Sequence, residues 1–170
     1  ASFEAGAVSY LYYADRIYQI NLAIAGIAVG TVSLPALSKA FKNKNLKKLS
    51  DIQSKSFELS LLLSIPASIG LILASEEIVS SLFGYGSFSE EDVKLTSDAL
   101  KYFGYGVPAF ALVKILSNFF FARDNTKTPL YISILMVVIN ISISVSLFDN
   151  FGYIIIPIAT SIATWIGVLF

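Results

Sequence analysis

The sequence has no cysteine and no histidine. Disulfides, thiolate nucleophiles, zinc-thiolate sites and imidazole acid-base catalysis are therefore excluded from these residues. Charge is scarce as well: 14% of the 170 residues are charged against 55% hydrophobic, and the mean hydropathy is +0.71. That is too apolar for a soluble domain and reads as an all-α, polytopic membrane helix bundle. Enzyme motifs are missing too. Gly84-Tyr85-Gly86 is too short for a phosphate-binding loop and follows no strand, and there is no paired-carboxylate site on one membrane helix and no metal-ligand cluster. What is left is a transporter-like or structural role, with no cofactor expected and any coupling ion left open.

The charges that are present balance at 12 Lys+Arg and 12 Asp+Glu, so net charge argues for no partner, nucleic acid included. Their order along the chain carries the information. Five stretches have close to the roughly 20 apolar residues that a bilayer crossing needs: about 5–37, 57–74, 102–121, 130–148 and 153–170. The first is longer than one crossing, and Gly26, Gly30 and Pro35 allow close helix contact or a kink. Pro66 and Gly70 predict a bend in the second. Gly104, Gly106 and Pro108 predict a break as the third enters the membrane.

Between the first two spans, 39–55 holds Lys39, Lys42, Lys44, Lys47, Lys48 and Lys55 against the single acid Asp51 and reads as a basic, water-facing connection. From 76 to 92 the sign reverses, with Glu76, Glu77, Glu90, Glu91 and Asp92 and no Lys or Arg. Glu77 to Phe83 predicts a short interfacial helix, and Ser89 ahead of three acids predicts a helix start. A turn at Asp149-Asn150-Phe151-Gly152 separates the last two spans. With Arg123 and Lys127, one side carries eight of the 12 basic residues; the positive-inside rule makes it cytoplasmic. The first helix then runs from outside inward. The chain starts Ala1-Ser2-Phe3-Glu4 without Met and ends in an apolar run, and it reads as an excised fragment forming a single membrane domain over 1–170.

Two cations lie inside apolar stretches. Arg16 sits roughly a third of the way down the first helix, with Tyr12, Tyr13 and Gln19 three or four residues away on its face and Ser9 and Ala23 a further turn out. Asp15 points elsewhere. Lys114 lies roughly 14 Å along the axis from Arg123. Either cation can snorkel to an interface or face a cavity. If both face one cavity, it suits an anionic substrate such as a phosphate or diphosphate, Arg offering two-point contact and Lys a mobile point charge. Asn140, Ser144, Thr160, Ser161 and Thr164 read as interhelical hydrogen-bonding residues, and the lysine run as a topology determinant that also attracts anionic membrane lipids.

Several motifs together carry a resemblance. Tyr12-Tyr13-Ala14-Asp15-Arg16-Ile17-Tyr18-Gln19, the run from Gly26 to Ser38, Leu82-Phe83-Gly84-Tyr85-Gly86-Ser87-Phe88, Gly106-Val107-Pro108-Ala109-Phe110 followed by Lys114, and Phe119 to Pro129 stand in order. In that order they resemble the MurJ (MviN) lipid II flippase family of the multidrug/oligosaccharidyl-lipid/polysaccharide exporter superfamily. The resemblance implies a fourteen-helix, two-lobed exporter of the bacterial inner membrane, of which this chain would be helices eight to twelve. It also implies transport of lipid-linked peptidoglycan precursor (lipid II) from inner to outer leaflet by alternating access. An arginine matching Arg16 would line the central cavity, and further cavity cations would come from the N-terminal lobe, which lies outside this chain. Tyr12, Tyr13, Gln19 and Lys114 complete the substrate-binding set. The chain departs from some relatives at Gln19, where they carry an acid, and at Ser144, where they carry the acid of a sodium site to which Asn140 and Thr160 could correspond; no sodium site is assigned. An exporter of polysaccharide-linked lipids or drugs, and a non-transporting envelope-assembly scaffold, are the alternatives.

Overall fold

The computed structural model describes residues 6–170. The first helical rod runs from Ala7 to Lys42 in three parts: α1 (Ala7–Leu22), a π-helical turn (Ala23–Ala28) and α2 (Val29–Lys42). It is followed by α3 (Leu46–Leu73), the short α4 (Ser75–Phe83), α5 (Glu90–Gly104), α6 (Val107–Phe121), α7 (Lys127–Phe151), a 3₁₀ turn (Gly152–Ile154) and α8 (Ile155–Leu169). By length and composition Ala7–Lys42, Leu46–Leu73 and Lys127–Leu169 can cross a membrane, and so can α5 and α6 taken together as one span bent by 45°. The stretch Lys127–Leu169 doubles back at Gly152. The Asn140 amide donates to the Thr160 hydroxyl at 2.8 Å and Gly167 lies against Met136, so α7 and α8 are the two legs of an antiparallel hairpin. Gly152 makes the reversal with φ 60° and ψ −146°, a region open essentially to glycine alone.

The predicted lysine-rich connection is far shorter than expected. Only Asn43–Asn45 separate α2 from α3. Lys39 and Lys42 form the last turn of α2, where cations offset the helix dipole, and the Asn45 side chain caps α3 by accepting from the Lys48 backbone N–H at 2.9 Å. The predicted helix start at Ser89 is a full capping box: Ser89 Oγ accepts from Asp92 N at 3.1 Å and Asp92 accepts from Ser89 N at 2.8 Å.

Charge segregation in sequence becomes segregation in space. A cavity of about 590 Å³ brings the α2–α3 turn (Lys42, Lys44, Asn45) against the end of α6 (Ala122, Asp124), so the two basic connections share one end. At the other end the Tyr10 hydroxyl donates to Asp92 at 2.7 Å, and the Tyr13 ring lies 4.7 Å from Phe83 and 5.6 Å from Phe88. Two cores follow this division. The one nearer the acid-rich end joins Ala14, Ile17 and Tyr18 to Leu100, Phe103 and Val107; the one nearer the lysine-rich end joins Leu37 and Leu49 to Ile115 and Phe119.

Helix α3 is inside-out by soluble standards. Ser56, Ser60, Ser64 and Ser68 recur every fourth residue and are buried, Ser60 and Ser64 completely, while Leu62 is 69% exposed. In a bilayer there is no hydrophobic drive to bury leucine between helices, and small residues let backbones approach. The same stripe supplies hydrogen bonds. Pro108 has no N–H for the carbonyl of Gly104 four residues before it, and Ser68 Oγ donates to that carbonyl at 2.7 Å. Ser60 Oγ donates to the Ala25 carbonyl inside the π-turn at 3.1 Å.

Candidate functional site

Arg16 stands on the outer half of the first rod, two turns above the π-turn, with its side chain exposed. Its guanidinium donates to the Tyr12 hydroxyl at 3.0 Å and its Cζ lies 4.7 Å from the centre of the Tyr12 ring. The contact is partly a hydrogen bond and partly a cation–π contact, and neither neutralises the charge. No carboxylate pairs with Arg16 among the described residues. Asp15 instead accepts from the Gln19 amide, which occupies both polar groups next to Arg16.

The other predicted residues fall in different places. Tyr12 meets Arg16 directly. Tyr13 is half-buried and belongs to the aromatic cluster with Phe83 and Phe88 that fastens α1 to α4 and the loop after it. Gln19 is exposed on the same helix but turned to Asp15. Lys114 is exposed on α6, and its stem lies over glycines of the first rod: a Cβ placed on Gly26 would be 3.5 Å from Lys114 Cβ, and one on Gly30 would be 3.8 Å from Lys114 Cγ. Those glycines let α6 approach closely enough to hold the lysine stem. Lys114 borders an open groove of about 460 Å³ with Leu22, Ile27, Phe110, Ser117 and Ser133.

Arg16 and Gly26 are ten residues apart, which at about 1.5 Å per residue separates Arg16 from the level of Lys114 by roughly 15 Å along the rod. The two cations therefore stand at different levels, and Arg16 is not among the residues lining the groove that Lys114 borders. Asn118, buried with its amide directly over Gly30, escaped sequence reasoning; the Gly30-to-α6 approach that places it depends on a contact between helices nearly ninety residues apart.

Comparison with known proteins places this architecture. The family model for Lipid II flippase MurJ matches residues 1–170. The chain belongs to the lipid II flippase MurJ family. It is 40% identical to a probable lipid II flippase MurJ of Rickettsia prowazekii (strain Madrid E), covering 100% of this chain and 34% of the relative. The corresponding protein of Rhizobium meliloti (strain 1021) is 41% identical over 99% of this chain and 32% of its own length. That of Thermotoga maritima is 39% identical over 100% of this chain and 35% of its own. A solved structure titled Lipid II flippase MurJ, inward closed conformation, superposes with a TM-score of 0.88 at 32% identity, over 96% of this chain and 34% of that one. This MurJ-family chain thus spans about a third of the length of the relatives it matches, and its helices follow the exporter fold over that third.

Proposed function

We propose that this chain supplies part of the substrate path of a flippase that carries lipid-linked peptidoglycan precursor from the inner to the outer leaflet of the bacterial cytoplasmic membrane by alternating access. Arg16 attracts the substrate's diphosphate, and Lys114, at a different level of the bundle, does so as the substrate moves. The observation that carries the reading is an exposed guanidinium on an apolar helix with no carboxylate paired to it among the described residues. An ionised group at membrane depth is expensive unless it faces protein, water or a counter-ion, and a diphosphate is such a counter-ion. Tyr12, packed on the guanidinium, holds it extended, and Gln19 and Asp15 add a polar margin. The remaining cavity walls, and further cations, come from the other lobe of the transporter.

The test is rescue of cells depleted of their own flippase by a full-length transporter carrying these residues. Arg16→Ala is expected to abolish rescue at unchanged protein level, and Arg16→Lys to restore it only in part, because a point charge cannot grip two phosphate oxygens at once. Full rescue by Arg16→Ala overturns the assignment.

A further inference from the structure

The first rod is not one continuous α-helix. Its register slips at Ala23–Ala28, between Arg16 above and the α6 contact with Lys114 alongside. Within Ala23-Ile24-Ala25-Gly26-Ile27-Ala28 there is no proline, and only Gly26 disfavours the α-helix; Thr31 Oγ1 donates to the Ile27 carbonyl at 2.7 Å. These local features permit the slip without dictating it, so the turn is held by its neighbours as well, and such turns collect at functional sites. Two neighbours hold this one. Ser60 of α3 donates to the Ala25 carbonyl at 3.1 Å, and α6 rests against Gly26, where an added Cβ would lie 3.4 Å from the Ala111 Cα.

The other irregular point, between α5 and α6, is fastened much more firmly. Three carbonyls at that break are taken up by side chains of other helices: Tyr102 by Ser161 at 2.7 Å, Gly104 by Ser68 at 2.7 Å and Tyr105 by the Trp165 indole at 2.9 Å. Among the described residues the π-turn has one interhelical hydrogen bond. One turn along α3 from Ser60 lies Ser64, equally buried, its hydroxyl without a partner among the described residues.

We propose that the π-turn at Ala23–Ala28 is the hinge on which α1, bearing Arg16, turns relative to α2, with Ser60 the positioning residue that fixes its angle. The swing changes where Arg16 stands relative to Lys114, which is what alternating access requires of a cation that meets substrate from both sides. The inference rests on the reading of Arg16 given above only for this consequence; the hinge itself can be measured independently.

The experiment places spin labels at Val8→Cys and Leu62→Cys, both exposed positions, in a full-length transporter carrying these residues, and reads the distance distribution in lipid nanodiscs. Loss of one hydrogen bond predicts that Ser60→Ala raises the minor-distance population about fivefold. Ser64→Ala removes an equally buried hydroxyl that makes no bond and leaves the distribution as in the parent. Gly26→Ala, which favours the α-helical register, narrows it. Equal effects of Ser60→Ala and Ser64→Ala, or broadening by Gly26→Ala, overturn the proposal. If the distances respond as expected while Arg16→Ala still rescues growth, the hinge stands and the substrate role of Arg16 falls.

Discussion

The two interrupted helices of this bundle show two ways of breaking a helix where water cannot repair it. In the bilayer every exposed carbonyl must find a donor within the protein. Between α5 and α6 the break is written into the sequence, since Pro108 denies an N–H to Gly104, and three side chains from α3 and α8 close the gap. In the first rod the break is held by tertiary contacts, with a single interhelical hydrogen bond among the described residues. The first arrangement fixes an angle of 45°. The second leaves a joint two turns along the rod from Arg16.

The largest expected difference between the two joints lies in their tolerance of a methyl group. A Cβ on Gly106 would meet Ser161 Oγ at 2.8 Å and the Phe103 carbonyl at 3.3 Å, so Gly106→Ala must disturb the bond from Ser161 to Tyr102 and should destabilise by about 1–3 kcal/mol. At Gly26 the nearest atoms lie at 3.4 Å, and the gain in helix propensity opposes the slight crowding. Unfolding in detergent with a denaturing titration checks the pair. Equal losses at the two glycines would remove the distinction between a packed break and a loose hinge.

Next in size is the hydroxyl that serves the proline. Ser68→Ala leaves the Gly104 carbonyl without a donor and should cost about 1 kcal/mol. In a Pro108→Ala background the backbone N–H of residue 108 can bond the same carbonyl, and the cost of losing Ser68 should fall toward zero. A double-mutant cycle measures the coupling. Additive effects would mean that Ser68 acts by packing alone.

The break and the hinge differ equally in how far they could be read in advance. Gly104, Gly106 and Pro108 announce a break by residue type alone, and Ser89 with Asp92 announces a helix start, because both are local chemistry. For the π-turn the sequence offers only Gly26, which allows close contact or a kink, while the contacts that hold it lie on α3 and α6, thirty-five and more residues away. The serine period of four on α3 is visible in the sequence, whereas the carbonyls it serves are not. The Arg16 face was partly legible. Tyr12 at i−4 is its partner and Asp15 points away, as helical spacing requires. Tyr13, by contrast, turns into an aromatic cluster that depends on Phe83 and Phe88, and Gln19 is engaged by Asp15. The lysine-rich stretch reads as a water-facing connection because of its charge, but lysine is a good helix former and Asn45 caps the start of α3, so most of the stretch is helical.

The smallest effect concerns what holds the free end of the hinged half. The first turns of α1 are tied to α5 through the Tyr10 hydroxyl and the Asp92 carboxylate, 2.7 Å apart, at the acid-rich end of the bundle. The bond from Tyr10, then those from the Ser89 backbone and hydroxyl, holds the Asp92 carboxyl below its ordinary range. A carboxyl so lowered contributes stability above its unfolded value, and this is lost as pH falls through the folded value. Acidification through that window should therefore loosen the outer end of α1 and the start of α5 together. Tyr10→Phe removes the leading cause, so the gap in melting temperature between the parent and Tyr10→Phe, wide at neutral pH, should close on the acid side. A gap that stays constant with pH would show that Tyr10 secures α1 by packing against Tyr153, whose ring centre lies 6.2 Å away. The outer half would then be anchored through its aromatic contacts, and the joint at Ala23–Ala28 would turn against packing instead of against a charge.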